Sequence, residues 1–169
     1  MSLLRRSTWQ PRPWAGGLSY ELASAEAWRV SAATIECDGP FTAFPGWFRR
    51  TALLSGTGIR LGDATIRPDS PEIAYAGDPP PDCRLIEGPV MVLNMFTKPG
   101  LSAVVKREAI SGPTLIGTTS IGLATVALCL HAGLTFEGQA LFEFDAVRAD
   151  RNSFTVSGSG AMLVVSLTF

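Results

Sequence analysis

A chain of 169 residues with 46% hydrophobic and 17% charged side chains has the composition of a compact globular protein, which excludes a disordered one. It is long enough for one sizeable core or for two small halves that share one. A formal net charge of −1 removes the usual electrostatic case for a nucleic-acid or anionic-membrane partner.

Arg5 and Arg6 form a basic pair near the start, but the polar, proline-rich STWQPRPW follows where a secretory signal would have its apolar run. SYELASAEA (19–27) reads either as a helix capped by Ser19 or as a strand and a turn. AWRVSAATIE (27–36) alternates as a strand, with Trp28, Val30 and Ala32 on one face and Arg29, Ser31 and Ala33 on the other. In DGPFTAFPGWFRR (38–50), Asp38-Gly39-Pro40 ends that strand, and Pro45-Gly46 makes a second bend that delivers Arg49 to the next one. Phe41, Phe44 and Trp47 read as aromatics packed over a barrel end, the rival being an exposed contact patch. Arg50, next to Arg49, is expected on the opposite face.

GTGIRLGD (56–63) resembles a phosphate loop only superficially: the spacing is not G-x-G-x-x-G and no helix follows, so a tight turn is expected. RRTALLSG, PVMVLNMF, LSAVVKRE, TVALCLHAG, GQALFEF, SFTVSG and AMLVVSLTF all read as short strands. IGLATVALCL (121–130), the longest apolar run, falls short of the roughly 20 residues that span a bilayer and reads as a buried strand. Many short strands with Gly/Pro turns predict an all-β barrel or sandwich.

TALLSGTGIRLGDATI (51–66) can be laid over VALCLHAGLTFEGQAL (126–141), with Ala52-Leu53 on Ala127-Leu128 and Gly58 on Gly133. Each copy is followed by a turn-rich segment and an apolar strand, GPVMVLNMF or GAMLVVSLTF. The expectation is an internal duplication: two packed barrel halves, about 1–97 and about 98–169, within one unit spanning 1–169, joined through 98–114.

A cupin metal centre needs two or three histidines with a carboxylate, and this chain has one histidine, His131. A His-rich metal site is therefore excluded, and no cofactor is implied. His131 is a candidate general base or pH switch, set against a strand-end histidine bonded to backbone or solvent. Cys37, Cys83 and Cys129 follow no CxxC or metal-finger spacing and read as buried thiols of a reducing compartment. Arg29 and Ser31 share a strand face, Arg49 follows the aromatic turn, and Asn94 interrupts an apolar strand. If that face is interior, the guanidinium needs an anionic partner, because a buried unpaired charge is very costly. A carboxylate ligand held bidentately, with Ser and Asn assisting, would supply one. The alternative places Arg29 on the solvent face or pairs it with Glu21, Glu36 or Asp38.

WRVSAATIECDGPFTAFPGWFRRTALLSGTGIRL (28–61) resembles the signature of the HutD/Ves family: a W-R-x-S strand, a D-G-P-F-S-x-F-P-G turn, an Arg, and a strand ending in Gly. AGDPPPDCRLIEGPVMVLNMF (76–96) resembles the family's second block and PWAGGLSYEL (13–22) its first. The first block is two residues shorter here and lacks the family Asn. The resemblance implies an RmlC-like cupin fold in bicupin form and a bacterial cytoplasmic protein without cupin metal ligands. It also implies a link to histidine utilisation, with a proposed role in sensing a small intermediate, or to stress responses. By position it carries over Glu21, Arg29, Ser31, Asp38, Thr42, Arg49, Asp78 and Asn94.

Three readings follow. In the first, a metal-free cupin binds a small carboxylate metabolite through Arg29, Ser31, Arg49 and Asn94, with Glu21 and Asp38 as further site residues. In the second, a metal-independent lyase or isomerase uses Glu21 or His131 as base. In the third, an interaction protein meets a second copy through its aromatic turn. Neither nucleic acid nor membrane is an expected partner.

Overall fold

The computed structural model describes residues 1–117 and 122–169. Among them the chain forms strands and one 3-10 turn at Arg6–Thr8, with no α-helix. Among the described residues no helix is long and apolar enough to cross a membrane. The chain divides into two compact units, Gln10–Pro99 and Met1–Trp9 together with Gly100–Phe169.

The first strand, β1 (Ser2–Leu4), belongs to the second of these. The Gln10–Pro99 unit then contains β2 (Arg12–Trp14), β3 (Gly17–Ala25), β4 (Trp28–Ile35), β5 (Gly39–Pro40), β6 (Phe48–Ser55), β7 (Ile59–Leu61), β8 (Ala64–Ile66), β9 (Ile73–Ala76), β10 (Asp82–Leu85) and β11 (Val90–Thr97). Residues 19–25, open to a helical reading in the sequence, are strand. A six-stranded sheet runs β2-β3-β4-β11-β6-β9 and a four-stranded one β5-β10-β7-β8. Alternation explains the core between them. Ala33 and Ile35 of β4, Leu53 of β6 and Val90 and Val92 of β11 meet Ile59, Leu61, Ile66 and Cys83 of the smaller sheet. GTGIRLGD makes the β7–β8 hairpin, turning at Gly62-Asp63, as expected for a tight turn.

The other unit holds β12 (Ser102–Ser111), β13 (Thr114–Ile116), β14 (Gly122–Cys129), β15 (Leu134–Phe136), β16 (Gln139–Leu141), β17 (Ala146–Asp150) and β18 (Phe154–Thr168). The apolar run that supplies β14 is buried from Ala124 to Leu130, with the strand ending at Cys129, while Ile121, with which it begins, lies outside the described residues. β18 takes β12 and β13 along one edge and β14 and β15 along the other. Its passage from β15 to β14 falls at Gly158–Gly160, where the backbones of Gly133 and Gly158 come so close that a Cβ on either would overlap main chain. Met1–Trp9 joins this unit because the buried carboxylate of Asp145 accepts from Arg5 Nη1 at 2.7 Å, the Arg6 amide at 2.8 Å and the Phe142 amide at 3.1 Å.

The sequence offset aligns two hairpins. The offset that lays Ala52 on Ala127 carries the bounds of β7 and β8 onto those of β15 and β16. Of the three cysteines, Cys83 and Cys129 are buried, but Cys37 is exposed. It lies beyond the end of β4, where the chain has left the sheet, and its thiol lies 3.7 Å from the Ala15 carbonyl.

Two outcomes follow from this packing. Gly133 has a φ of 118° and an added Cβ would stand 2.7 Å from the Ser159 carbonyl oxygen, so Gly133→Ala should cost about 1–3 kcal/mol. Urea unfolding should show a lower midpoint with an unchanged slope. Burial, with Asp38 adding to it, pushes the Cys83 thiol from 9.0 up to about 11. The native state then holds a proton that the unfolded chain releases, so stability is lost as pH rises from about 9 to about 11. That loss should be about 2–3 kcal/mol and absent in Cys83→Ala, measured by urea unfolding under reductant.

Candidate functional site

The site is built on register. In the centre of the six-stranded sheet, β11 lies between β4 and β6. Phe96 stands opposite Arg29 on one side and Arg49 on the other, Asn94 opposite Ser31 and Thr51, and Val92 opposite Ala33 and Leu53. Because side chains two apart share a face, these are three successive rows on one surface: cationic, polar and apolar. All of these except Thr51 and Leu53 join Trp14, Phe41 and Phe44 in lining a cavity of about 400 Å³.

Arg49 is 5% exposed, so its guanidinium is inside the protein. Its Nη1 donates to the Thr42 carbonyl at 3.1 Å and its Nη2 to Asn94 Oδ1 at 3.4 Å. Its Nε is buried with no hydrogen-bond partner, and it takes part in no ion pair among the described residues. Four rings surround the cation, with centroids 5.0 Å (Phe41), 5.4 Å (Phe44), 5.3 Å (Tyr75) and 4.6 Å (Phe96) from Cζ. Such contacts are worth about 0.5–2 kcal/mol each and offset part of the several kcal/mol that desolvation costs. Burial lowers the Arg49 pKa; Tyr75 acts against that shift and the neighbouring Arg29 with it.

The turn before Arg49 is pinned by backbone bonds. Phe41 N donates to the Pro81 carbonyl at 3.1 Å, Phe44 N to Gly77 at 2.7 Å, and Gly77 N to Trp47 at 2.7 Å. This places the Thr42 carbonyl and two rings on the guanidinium. Beneath it, the Tyr75 and Thr51 hydroxyls are 2.7 Å apart, and Thr51 Oγ1 donates to Asn94 Oδ1 at 2.8 Å. With Oδ1 engaged by Thr51 and Arg49, the Asn94 amide NH2 is the part of that side chain left to donate into the cavity it lines. Burial raises the Tyr75 pKa, so its hydroxyl keeps the proton it donates to this chain.

The family model described as HutD matches residues 6–164. The chain belongs to the HutD family. A curated relative from Pseudomonas putida, described as an uncharacterized 21.2 kDa protein in the hutC 3′ region, is 27% identical over 90% of this chain and 88% of its own. The structure of HutD from Pseudomonas fluorescens SBW25, titled as a formate condition, is 22% identical with a TM-score of 0.78, covering 99% of this chain and 97% of that one. A cupin 2 conserved barrel domain protein from Leptotrichia buccalis is 10% identical with a TM-score of 0.58 over 99% of this chain and 95% of that one. The fold is cupin-like, and the name of the Pseudomonas putida relative ties this HutD family to the histidine-utilisation locus.

Of the site residues expected from sequence, Arg29, Ser31, Arg49 and Asn94 line the cavity, as does Thr42 of the HutD turn. Glu21 and Asp38 stand outside the lining. Glu21 is exposed at the sheet edge, accepts from Ser24 at 2.8 Å and faces Arg29 Nε at 3.5 Å. It stands opposite Ser31, on the same face as Arg29, immediately before the bulge between Glu21 and Ala23. Asp38 braces the neighbouring sheet instead, accepting from the Leu85 amide at 2.8 Å. Asp78 is likewise exposed and outside the lining. Arg50 points away from the cavity and pairs with Glu72 at 3.3 Å, and His131 is exposed in the other unit. Phe41 is buried and Phe44 and Trp47 half-buried, so the turn packs inward, although Phe48 is 55% exposed. Among the described residues no three His, Cys, Asp or Glu side chains come together to hold a metal ion.

Sequence reasoning missed Arg12, Trp14, Thr51 and Tyr75. Thr51 was within reach, being two residues beyond Arg49 on the same face. Tyr75 becomes a neighbour only through the β6–β9 pairing, which opposes it to Arg49. Thr51→Val should cost about 1–3 kcal/mol, since it strands the Tyr75 hydroxyl and leaves Asn94 Oδ1 only the longer bond from Arg49. Tyr75→Phe should cost less, because the Thr51–Asn94 bond survives; urea unfolding of the two variants checks the order.

Proposed function

We propose that the cavity binds a small carboxylate metabolite and that the protein works in the cytoplasm by binding, as a regulator within histidine utilisation. One observation carries this reading: Arg49 is a buried guanidinium with no carboxylate beside it. A ligand carboxylate would accept from its remaining N–H groups, from the Asn94 amide and from the Ser31 hydroxyl, all on adjoining rows of the sheet. The cavity volume falls within the range of small-molecule pockets. The placement of the Pseudomonas putida relative in the hutC 3′ region supports the pathway, and the formate condition of the HutD structure suggests a first probe.

The same lining argues for binding over a lyase or isomerase reaction. Its charged members are Arg12, Arg29 and Arg49, and no Asp, Glu, His, Cys, Lys or Tyr is among them. A proton-transfer step needs a group with an accessible pKa within reach of substrate. Glu21 is committed to Arg29 outside the lining.

Thermal shift and calorimetry with formate, urocanate and N-formylglutamate test the proposal. A ligand at 100 times its Kd should add about 2.7 kcal/mol of stability. In Arg49→Met that gain should vanish, while the unliganded variant stays within about 1–2 kcal/mol of wild type, because a buried charge gives way to an apolar side chain of similar reach. No stabilisation by any of the three, or an equal one in the variant, would sink the reading.

A further inference from the structure

We infer that Thr51 and Tyr75, neither of which lines the cavity, are positioning residues that fix which end of the Asn94 amide faces a bound ligand. This rests on the carboxylate-binding reading above and adds how the site is held ready. An asparagine side chain offers a carbonyl oxygen at one end and an NH2 at the other, and its last torsion is broad and roughly two-fold. Whether Asn94 meets a ligand as donor or as acceptor is therefore decided by what grips its other end. Asn94 is 5% exposed and Thr51 fully buried, so that grip comes from the protein and not from water.

Three strands supply it. On β6, Thr51 stands opposite Asn94 of β11 on one side and Ile73 of β9 on the other, and Tyr75, two residues beyond Ile73, shares its face. Thr51 Oγ1 lies 2.8 Å from Asn94 Oδ1 and 2.7 Å from the Tyr75 hydroxyl. A hydroxyl has one proton, and that of Thr51 goes to Asn94 Oδ1, so Tyr75 donates across the other contact. The chain of bonds thus has a direction, from Tyr75 through Thr51 to Asn94. Burial raises the Tyr75 pKa, which keeps the first proton in place.

Reversal of the amide is disfavoured at both of its contacts. Nδ2 would then point at Arg49 Nη2, donor against donor, and the Thr51 proton would lose its acceptor in a site closed to water. Of the two bonds to Oδ1, that from Arg49 is the longer, at 3.4 Å, and Arg49 is also the group a ligand carboxylate draws on. Once a ligand takes those N–H groups, Thr51 is what remains to hold Oδ1. Thr51 therefore matters most in the bound state, and Tyr75, which acts through it, matters less.

Two measurements on the intact protein test this, each on wild type, Thr51→Val, Thr51→Ser and Tyr75→Phe. Both are made well below each variant's melting temperature, where a loss of stability alone leaves nearly all molecules folded and the affinity unchanged. The first follows the Asn94 side-chain NH2 signals in proton–nitrogen correlation spectra of the unliganded protein, assigned by their loss in Asn94→Asp. They should split or broaden in Thr51→Val, as the amide samples both orientations, and stay a single sharp pair in Thr51→Ser. The second is calorimetry with N-formylglutamate. Thr51→Val should weaken binding about tenfold, Tyr75→Phe about threefold, and Thr51→Ser, which keeps the hydroxyl, no more than about twofold. Asn94 signals that stay single and sharp in Thr51→Val, binding of wild-type strength in that variant, or an equal loss in Thr51→Ser overturns the inference. If the Asn94 signals behave as expected but N-formylglutamate does not bind the wild-type protein, the hold on Asn94 stands and the carboxylate reading falls.

Discussion

A guanidinium enclosed by four aromatic rings and lacking a counter-ion is the constraint around which this sheet is organised. A charge taken out of water must recover what hydration gave it. Arg49 recovers part through the faces of Phe41, Phe44, Tyr75 and Phe96 and part through the Thr42 carbonyl and Asn94 Oδ1. Each partner imposes a further requirement. The Thr42 carbonyl and two of the rings need a turn held against Gly77 and Pro81, and the Asn94 oxygen needs Thr51 to orient it. The rigid aromatic segment 38–50 and the polar interruption of β11 are two parts of one solution.

The solution is incomplete by design of its partners. None of them carries a full negative charge, and Nε is left without an acceptor. A carboxylate placed by the chain itself would close the balance and make the arginine one half of an ion pair, as Asp145 does for the half-buried Arg5. The contrast within one chain separates an arginine that serves the fold from one held open.

How far the sequence reveals this depends on which rule each residue obeys. Period-two alternation put Arg29 with Ser31 on one face of β4, and the family turn singled out Arg49, so both were legible from one strand at a time. Thr51 obeys the same period and was within reach. Arg12 and Tyr75 were not, because they enter through the β2–β3 and β6–β9 pairings, and register between strands is a tertiary property. Glu21 and Asp38 stand outside the lining for local reasons. The first lies opposite Ser31 but beyond the end of β2, with its carboxylate turned to Ser24 and Arg29, and the second serves an amide of β10 after the chain has left the sheet. Cys37 is exposed for the same reason as Asp38. The assignment of Met1–Trp9 to the C-terminal unit hangs on Asp145, whose bonds to Arg5 and Arg6 reach far across the sequence and so leave no local signal.

The other unit shows what the same strand arrangement does without the cation. There β18 lies between β12 and β14 as β11 lies between β4 and β6. The offset that superposes the two hairpins sets Ala124 in the place of Arg49 and Val126 in the place of Thr51. Across the strands, Leu167 opposes Ala103 and Ala124, and Val165 opposes Val105 and Val126. The rows Arg29-Phe96-Arg49 and Ser31-Asn94-Thr51 thus have as counterparts Ala103-Leu167-Ala124 and Val105-Val165-Val126. All six counterparts are apolar, and all but the half-buried Val105 are buried. Where the rows are apolar they close on themselves as core, since apolar side chains need no partner beyond contact. Where they carry arginine, asparagine and serine they line a cavity. The two units therefore differ in the identity of six positions on three adjacent strands: polar and aromatic beside a cavity in one, apolar and packed in the other.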